Sequence, residues 1–167
     1  GIIAFKGEHT TAGLDLRKFF GPDAKPTENS GGHPDVFGIK NKCSKPLIRA
    51  VKGITYTIGI EMMLASDIVV ASEDCRFCQL EPKRGLAVFG GAHVRYVQRA
   101  GWGNAMYHLL RADEFDATRA KDLGFVQQEE TVAHHDTRAK QIAEEICECN
   151  PLAILWLPPP GDFVGHV

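Results

Sequence analysis

Short apolar runs return along this chain at separations that leave room for a helix between one and the next. That alternation constrains the fold more than any other feature. "KPLIRAV", "DIVVAS" and "RFCQLE" read as strands, "FVQQ" is strand-like, and the opening "GIIAFKG" reads as a buried strand. "ITYT" leads from Gly53 into a helix through "TIGIEMMLASD". A short helix is expected through "RKFF", and "AHHDTRAKQIAEEICEC" is amphipathic at helical spacing. "GGAHVRYVQRAGWGNAMYHLLRADEF" reads as two helices broken at Gly101 or Gly103. "DATRAKDLG" is a short helix with Asp116 as its cap and Gly124 just past its end. Strands joined by helical crossovers pair in parallel, so the pattern predicts an α/β fold with a largely parallel sheet.

With 167 residues, 44% hydrophobic and 24% charged, the chain can bury a core as one domain over residues 1–150. Residues 21–34, rich in Pro and Gly, read as a surface loop. Residues 151–167 read as an irregular Pro-rich tail, since its three consecutive prolines stop any helix. The opening strand and that tail predict that N- and C-terminal parts of the domain are missing or altered. A net charge of −2 without a basic run argues against nucleic acid and against an anionic membrane surface. No apolar run approaches the roughly 20 residues of a membrane span, and the N-terminus lacks the shape of a signal peptide.

Five cysteines are an odd set, which argues against a disulfide framework and for a reducing, cytoplasmic setting. A zinc site on Cys75, Cys78, Cys147 and Cys149 is disfavoured, because residues two apart in a helix face away from each other. No metal is expected. His134 and His135 read as solvated, and Arg95, Arg99 and Trp102 read as helix-packing and interface groups.

Within "TIGIEMMLASD", Ile58, Met62 and Ala65 share one helical face, and Glu61 lies beside it. That carboxylate is either an exposed passenger or a group kept from water. Its neighbourhood decides. The run from "NKCSKPLIRAVKGITYTIGIEMMLASDIVV" through "CRFCQLEPKRGLAVFGGAHV" to "KDLGFVQ" resembles the crotonase family, the enoyl-CoA hydratases and isomerases. The shared features are a K-P strand, a glycine-opened loop, a helix carrying a glutamate, D-I-x-x-A-S, F-x-Q-x-E, and a glycine-rich turn into a helix. "TTAGLDL" is similar to the family's A-G-x-D-L loop. Five weak motifs in the right order make a strong signal.

The resemblance implies a crotonase-like ββα spiral fold and an acyl-CoA substrate that passes through a thioester enolate. No separate cofactor is implied, coenzyme A being part of the substrate. Two backbone N–H groups, those of Leu14 and Ile58, would form the oxyanion hole. Ala12, Gly13, Leu14, Asp15 and Leu16 would hold the adenine end of coenzyme A, with Asp15 shaping the loop as a turn or cap residue. Glu61 would orient and deprotonate water, and Glu81 would deliver a proton to the α carbon. The N–H of Phe89 would help position the water. Thr57 and Ile58 stand where the family prefers glycine, so a positive φ at β-branched Ile58 would be costly. Val88-Phe89 replaces the usual Pro-Gly. A plain alternative for Glu81 is an ion pair with Lys83 or Arg84.

Two carboxylates imply hydration of a 2-enoyl-CoA. The alternatives are an enoyl-CoA isomerase or acyl-CoA thioester hydrolase of the same fold, and a non-catalytic CoA-binding or degenerate fragment. The resemblance also implies a homotrimer or a dimer of trimers.

Overall fold

The computed structural model describes residues 1–22 and 35–157. Along the chain it forms β1 (Ile2–Ile3), α1 (Leu16–Phe20), β2 (Ile48–Val51), β3 (Ile54–Tyr56) and α2 (Ile58–Leu64). These are followed by β4 (Ile68–Ser72), β5 (Arg76–Cys78), a 3-10 turn (Glu81–Arg84) and α3 (Ala92–Arg111). The chain continues through β6 (Phe115–Asp116), α4 (Ala117–Asp122), β7 (Gln128–Glu130), α5 (His135–Cys147) and α6 (Pro151–Leu155).

The strands make two sheets. One has the order β1-β2-β4-β7 and is parallel throughout, with Ile48 opposite Ile68 and Val70 opposite Gln128. The other has the order β3-β5-β6, in which β3 and β5 are parallel and β6 is antiparallel to β5. β2 is buried at every residue because helices cover both faces of its sheet, and such strands read as continuous apolar runs. Side chains alternate between the faces. Ile48, Ala50 and Val70 pack under Ala139 and Ile142 of α5. Val51, Val69 and Ala71 join Ile60, Met63, Phe77, Tyr96 and Phe125 in the larger core on the other side. Arg49 also faces that side, where its Nε donates to Ser66 Oγ at 3.1 Å.

Several expectations change in detail. "GIIAFKG" is not a buried strand: only Ile2 and Ile3 pair, and Ile2 is 39% exposed at the sheet edge. The chain then leaves the sheet so that Thr11 can bridge to Thr55 of β3. β7 begins after "FVQ", because Phe125 and Val126 are buried in the core at the turn after α4. In α2 the buried residues are Gly59, Ile60, Glu61, Met63 and Leu64, while Ile58, Met62 and Ala65 are half-buried. The glutamate therefore lies on the buried face itself. His135 is buried, not solvated, since His135, Ala139 and Ile142 form the stripe of α5 that faces the sheet. His134 is exposed.

Other expectations hold. α3 breaks at Gly101 (φ 73, ψ 163). Asp116 caps α4 by accepting the Arg119 N–H at 2.8 Å, and Gly124 adopts φ 74 past its end. Most of the 21–34 loop and the last part of the tail, residues 158–167, lie outside the described residues. Among the described residues no helix is long and apolar enough to cross a membrane.

Candidate active site

Glu61 sits in the first turn of α2 with 2% of its surface exposed. Its Oε1 accepts the N–H of Ala92, the first residue of α3, at 3.2 Å. The carboxylate thus rests on a helix N-terminus, where unpaired N–H groups and the dipole favour negative charge. Gly90 makes room for it: a Cβ there would lie 2.5 Å from Glu61 Oε2. Burial pushes the Glu61 carboxyl above its ordinary range, opposed by the N–H groups of Ala92 and Gly90 and the charges of Arg95 and His93. Arg95 braces the same turn, donating to Gly90 O at 2.8 Å and Phe37 O at 2.6 Å. It is thus part of the scaffold of the site, beyond the packing role expected of it. Arg99 ties α3 to Ser66 O at 2.8 Å, whereas Trp102 is exposed.

Glu81 opens the 3-10 turn that follows β5 and is 9% exposed. Its Oε2 accepts from Gln79 Nε2 at 2.9 Å, and Lys83 and Arg84 lie exposed. Among the described residues the carboxylate is held by an amide, not by an ion pair. Burial pushes the Glu81 carboxyl up as well; its own N–H and Gln79 oppose this, while the charge of Glu61 adds to it. The charge of Glu61 is thus felt at Glu81.

The start of α2 supplies donors. Ile58 is its first residue, so its N–H has no acceptor within the helix. The positive φ falls one residue earlier than the cost weighed at Ile58, at Thr57 (φ 51, ψ −113). Thr57 is held there by its N–H bond to Cys78 O at 2.9 Å and by its carbonyl, which accepts from Ile60 and Glu61.

The "AGLDL" loop reaches this point because the preceding residues are strapped to β3. Thr11 N–H donates to Ile54 O at 3.0 Å, and Tyr56 N–H donates to Thr11 O at 2.9 Å. Gly13, at φ 117, lies against Thr57; a Cβ on it would fall 2.5 Å from Thr57 Oγ1. Leu14 and Ile58 are each the next residue along the chain from this contact. Asp15 caps α1 by accepting the Lys18 N–H at 3.3 Å.

A cavity of about 370 Å³ is lined by Gly13, Leu14, Thr57, Leu80, Glu81 and Leu86, with Ala12, Leu16 and Arg84 around them. Glu61 and Ile58 are not among its lining residues. A larger groove of about 480 Å³ lies between Lys45, Asp67 and Ile68 and the apolar side chains of α5 and α6. It holds no carboxylate pair, and Asp67 is engaged by the Leu47 N–H at 2.7 Å. The smaller cavity is lined by Glu81, one of the two expected carboxylates. Phe89 stands at the glycine-rich turn and is 75% exposed, and the turn's N–H groups acting on Glu61 are those of Gly90 and Ala92.

Two residues of this site received no role from sequence reasoning. Gln79 sits within the F-x-Q-x-E pattern, two residues before Glu81, which is the signal that could have assigned it. The Thr57 hydroxyl had no such signal, because its importance depends on backbone conformation. Among the described residues, Thr57 Oγ1 and Gln79 Oε1 are buried without hydrogen-bond partners, as are Tyr96 Oη and His108 Nε2.

The fold and this site together define an α/β protein with two buried carboxylates, one of them resting on a helix N-terminus. The chain belongs to the enoyl-CoA hydratase/isomerase family, whose model matches residues 2–157. It is 34% identical over 154 residues to mevalonyl-coenzyme A hydratase sidH of Aspergillus fumigatus, covering 90% of this chain and 56% of that protein. It is 27% identical over 167 residues to the peroxisomal Delta(3,5)-Delta(2,4)-dienoyl-CoA isomerase of Arabidopsis thaliana, covering 92% and 60%. The crystal structure of a probable enoyl-CoA hydratase/isomerase from Mycobacterium abscessus superposes with a TM-score of 0.84 at 40% identity, covering 92% of this chain and 60% of that one. The chain thus spans less than two thirds of the length of these relatives.

Proposed function

We propose that the protein adds water across the double bond of a 2-enoyl-CoA thioester. The thioester oxygen accepts hydrogen bonds from the N–H groups of Leu14 and Ile58, which stabilise the enolate as negative charge moves onto it. Glu61 takes a proton from water as the water oxygen bonds to the β carbon. Glu81 gives a proton to the α carbon as the enolate collapses, and the product is a 3-hydroxyacyl-CoA. The N–H of Phe89 helps hold the water, and the Ala12–Leu16 loop holds the adenine end of coenzyme A. The active assembly is a trimer or a pair of trimers.

The observation that carries this reading is the pair of buried carboxylates, each pushed toward its protonated form by burial and Glu81 further by Glu61. Such a pair can hold one proton to give while keeping one carboxylate to receive. An isomerase needs a single group to move a proton between carbons, so the second carboxylate favours hydration. The test is product analysis on 2-enoyl-CoA and 3-enoyl-CoA thioesters. Conversion of crotonyl-CoA to 3-hydroxybutyryl-CoA is expected. Shift of the 3-enoyl double bond without hydration would establish the isomerase, release of free thiol the hydrolase, and turnover of neither a non-catalytic binding protein.

A further inference from the structure

Most buried polar side chains have hydrogen-bond partners, so one that lacks them calls for an explanation. Thr57 Oγ1 is buried and has no partner among the described residues. The same residue stands at φ 51, a region that a β-branched side chain occupies only when the surroundings hold it there. The backbone of Thr57 is satisfied instead, its N–H donating to Cys78 O at 2.9 Å and its carbonyl accepting from Ile60 and Glu61. The hydroxyl lies against Gly13, and Thr57 lines the same cavity as Glu81. It is therefore placed between Gly13-Leu14 on one side and Ile58 on the other.

We propose that the Thr57 hydroxyl is a third hydrogen-bond donor to the thioester oxygen of the bound acyl-CoA, beside the N–H groups of Leu14 and Ile58. The proposal rests on the acyl-CoA reading above. It gives the strained threonine and the unpartnered hydroxyl a single explanation. Since the hydroxyl is buried against Gly13, its donation requires the Gly13 loop to shift when the thioester binds.

Valine has nearly the shape of threonine without the donor, and serine keeps the donor without the methyl. The experiment compares the complete wild-type protein with Thr57→Val and Thr57→Ser. It measures kcat and KM for crotonyl-CoA, and the enolate absorbance of bound acetoacetyl-CoA. Thr57→Val is expected to lower kcat roughly 10- to 100-fold, somewhat less than loss of a principal oxyanion donor, with KM within about threefold. It is expected to weaken the enolate band without lowering Tm, since the hydroxyl it removes has no partner. Thr57→Ser should return both readouts close to wild type. Wild-type kcat and an unchanged enolate band in Thr57→Val would overturn the proposal, as would equal losses in the valine and serine variants. Should Thr57→Val fail to fold, Thr57→Ala is judged by the same two readouts. A wild type that binds acetoacetyl-CoA but hydrates nothing removes the hydratase reading alone, and the enolate band then decides the role of Thr57. A wild type that binds no acetoacetyl-CoA overturns both.

Discussion

An ionised carboxylate withheld from water opposes folding unless its surroundings replace the lost solvation. At Glu61 and Glu81 that replacement is partial, so both carboxyls are pushed above their ordinary range. A group whose pKa is raised on folding contributes its stability below the unfolded value and loses it as pH rises through the folded value. Glu61→Gln and Glu81→Gln are therefore expected to melt at or above the wild-type temperature at pH 7–8. Thermal melts across pH should show that difference closing on acidification. The same two variants should each lose about 100-fold or more in crotonyl-CoA hydration, in line with the contribution of a general acid or base. Gln79→Met removes the amide that steadies the ionised form of Glu81, so the limb of the pH–rate profile governed by the pair should move to higher pH. An unmoved profile would mean that Gln79 only fills space. At this scale the two glutamates were legible because a helix and a strand end place them at fixed steps from recognisable neighbours. The conformation of Thr57 was not, since nothing in the residue types Thr-Ile-Gly says which of the three takes positive φ.

α3 is the element that makes Glu61 usable, because its N-terminus faces the carboxylate and the turn before it has no side chain in the way. In Gly90→Ala the new Cβ would meet Glu61 Oε2 at 2.5 Å and Phe37 Cδ1 at 2.7 Å. The variant is expected to lose about 1–3 kcal/mol of stability from overpacking, seen in denaturant unfolding, and to lose activity well beyond what that explains. Gly101→Ala tests the other end of the same logic. Its φ of 73° and ψ of 163° suit glycine alone, so alanine should cost roughly 1–3 kcal/mol, while kcat measured below the melting range stays near wild type. A break at Gly101 or Gly103 was readable because glycine interrupts a long helical pattern, but which of the two takes the non-helical conformation was not. The start of β7 was not, since Phe125 and Val126 look like strand residues whether they pair or simply fill the core. The buried face of α2 was misread for a related reason: a short helix covered on more than one side has no single apolar stripe.

The alternation of strands and crossovers foretold a parallel sheet for the whole molecule, and β1-β2-β4-β7 is that sheet. The division into two sheets was not legible, because pairing partners are chosen by tertiary contacts and not by the strands themselves. That division matters for the site: the pairing of Thr11 with β3 carries the Gly13-Leu14 loop to the start of α2. Large apolar side chains remain exposed on α3, at Trp102 and Leu110, and on α6 and just past it, at Leu155 and Trp156. Light scattering on the complete protein is expected to give the mass of a trimer or a hexamer; a monomer at micromolar concentration would contradict the proposed assembly.

A crystal structure of the complete protein with acetoacetyl-CoA tests the central claim most directly. The thioester oxygen is expected within about 3 Å of the Leu14 and Ile58 nitrogens, the normal hydrogen-bond range. The α and β carbons should lie between the carboxylates of Glu61 and Glu81. A thioester bound away from those nitrogens, or one whose reactive carbons face neither glutamate, would contradict the account.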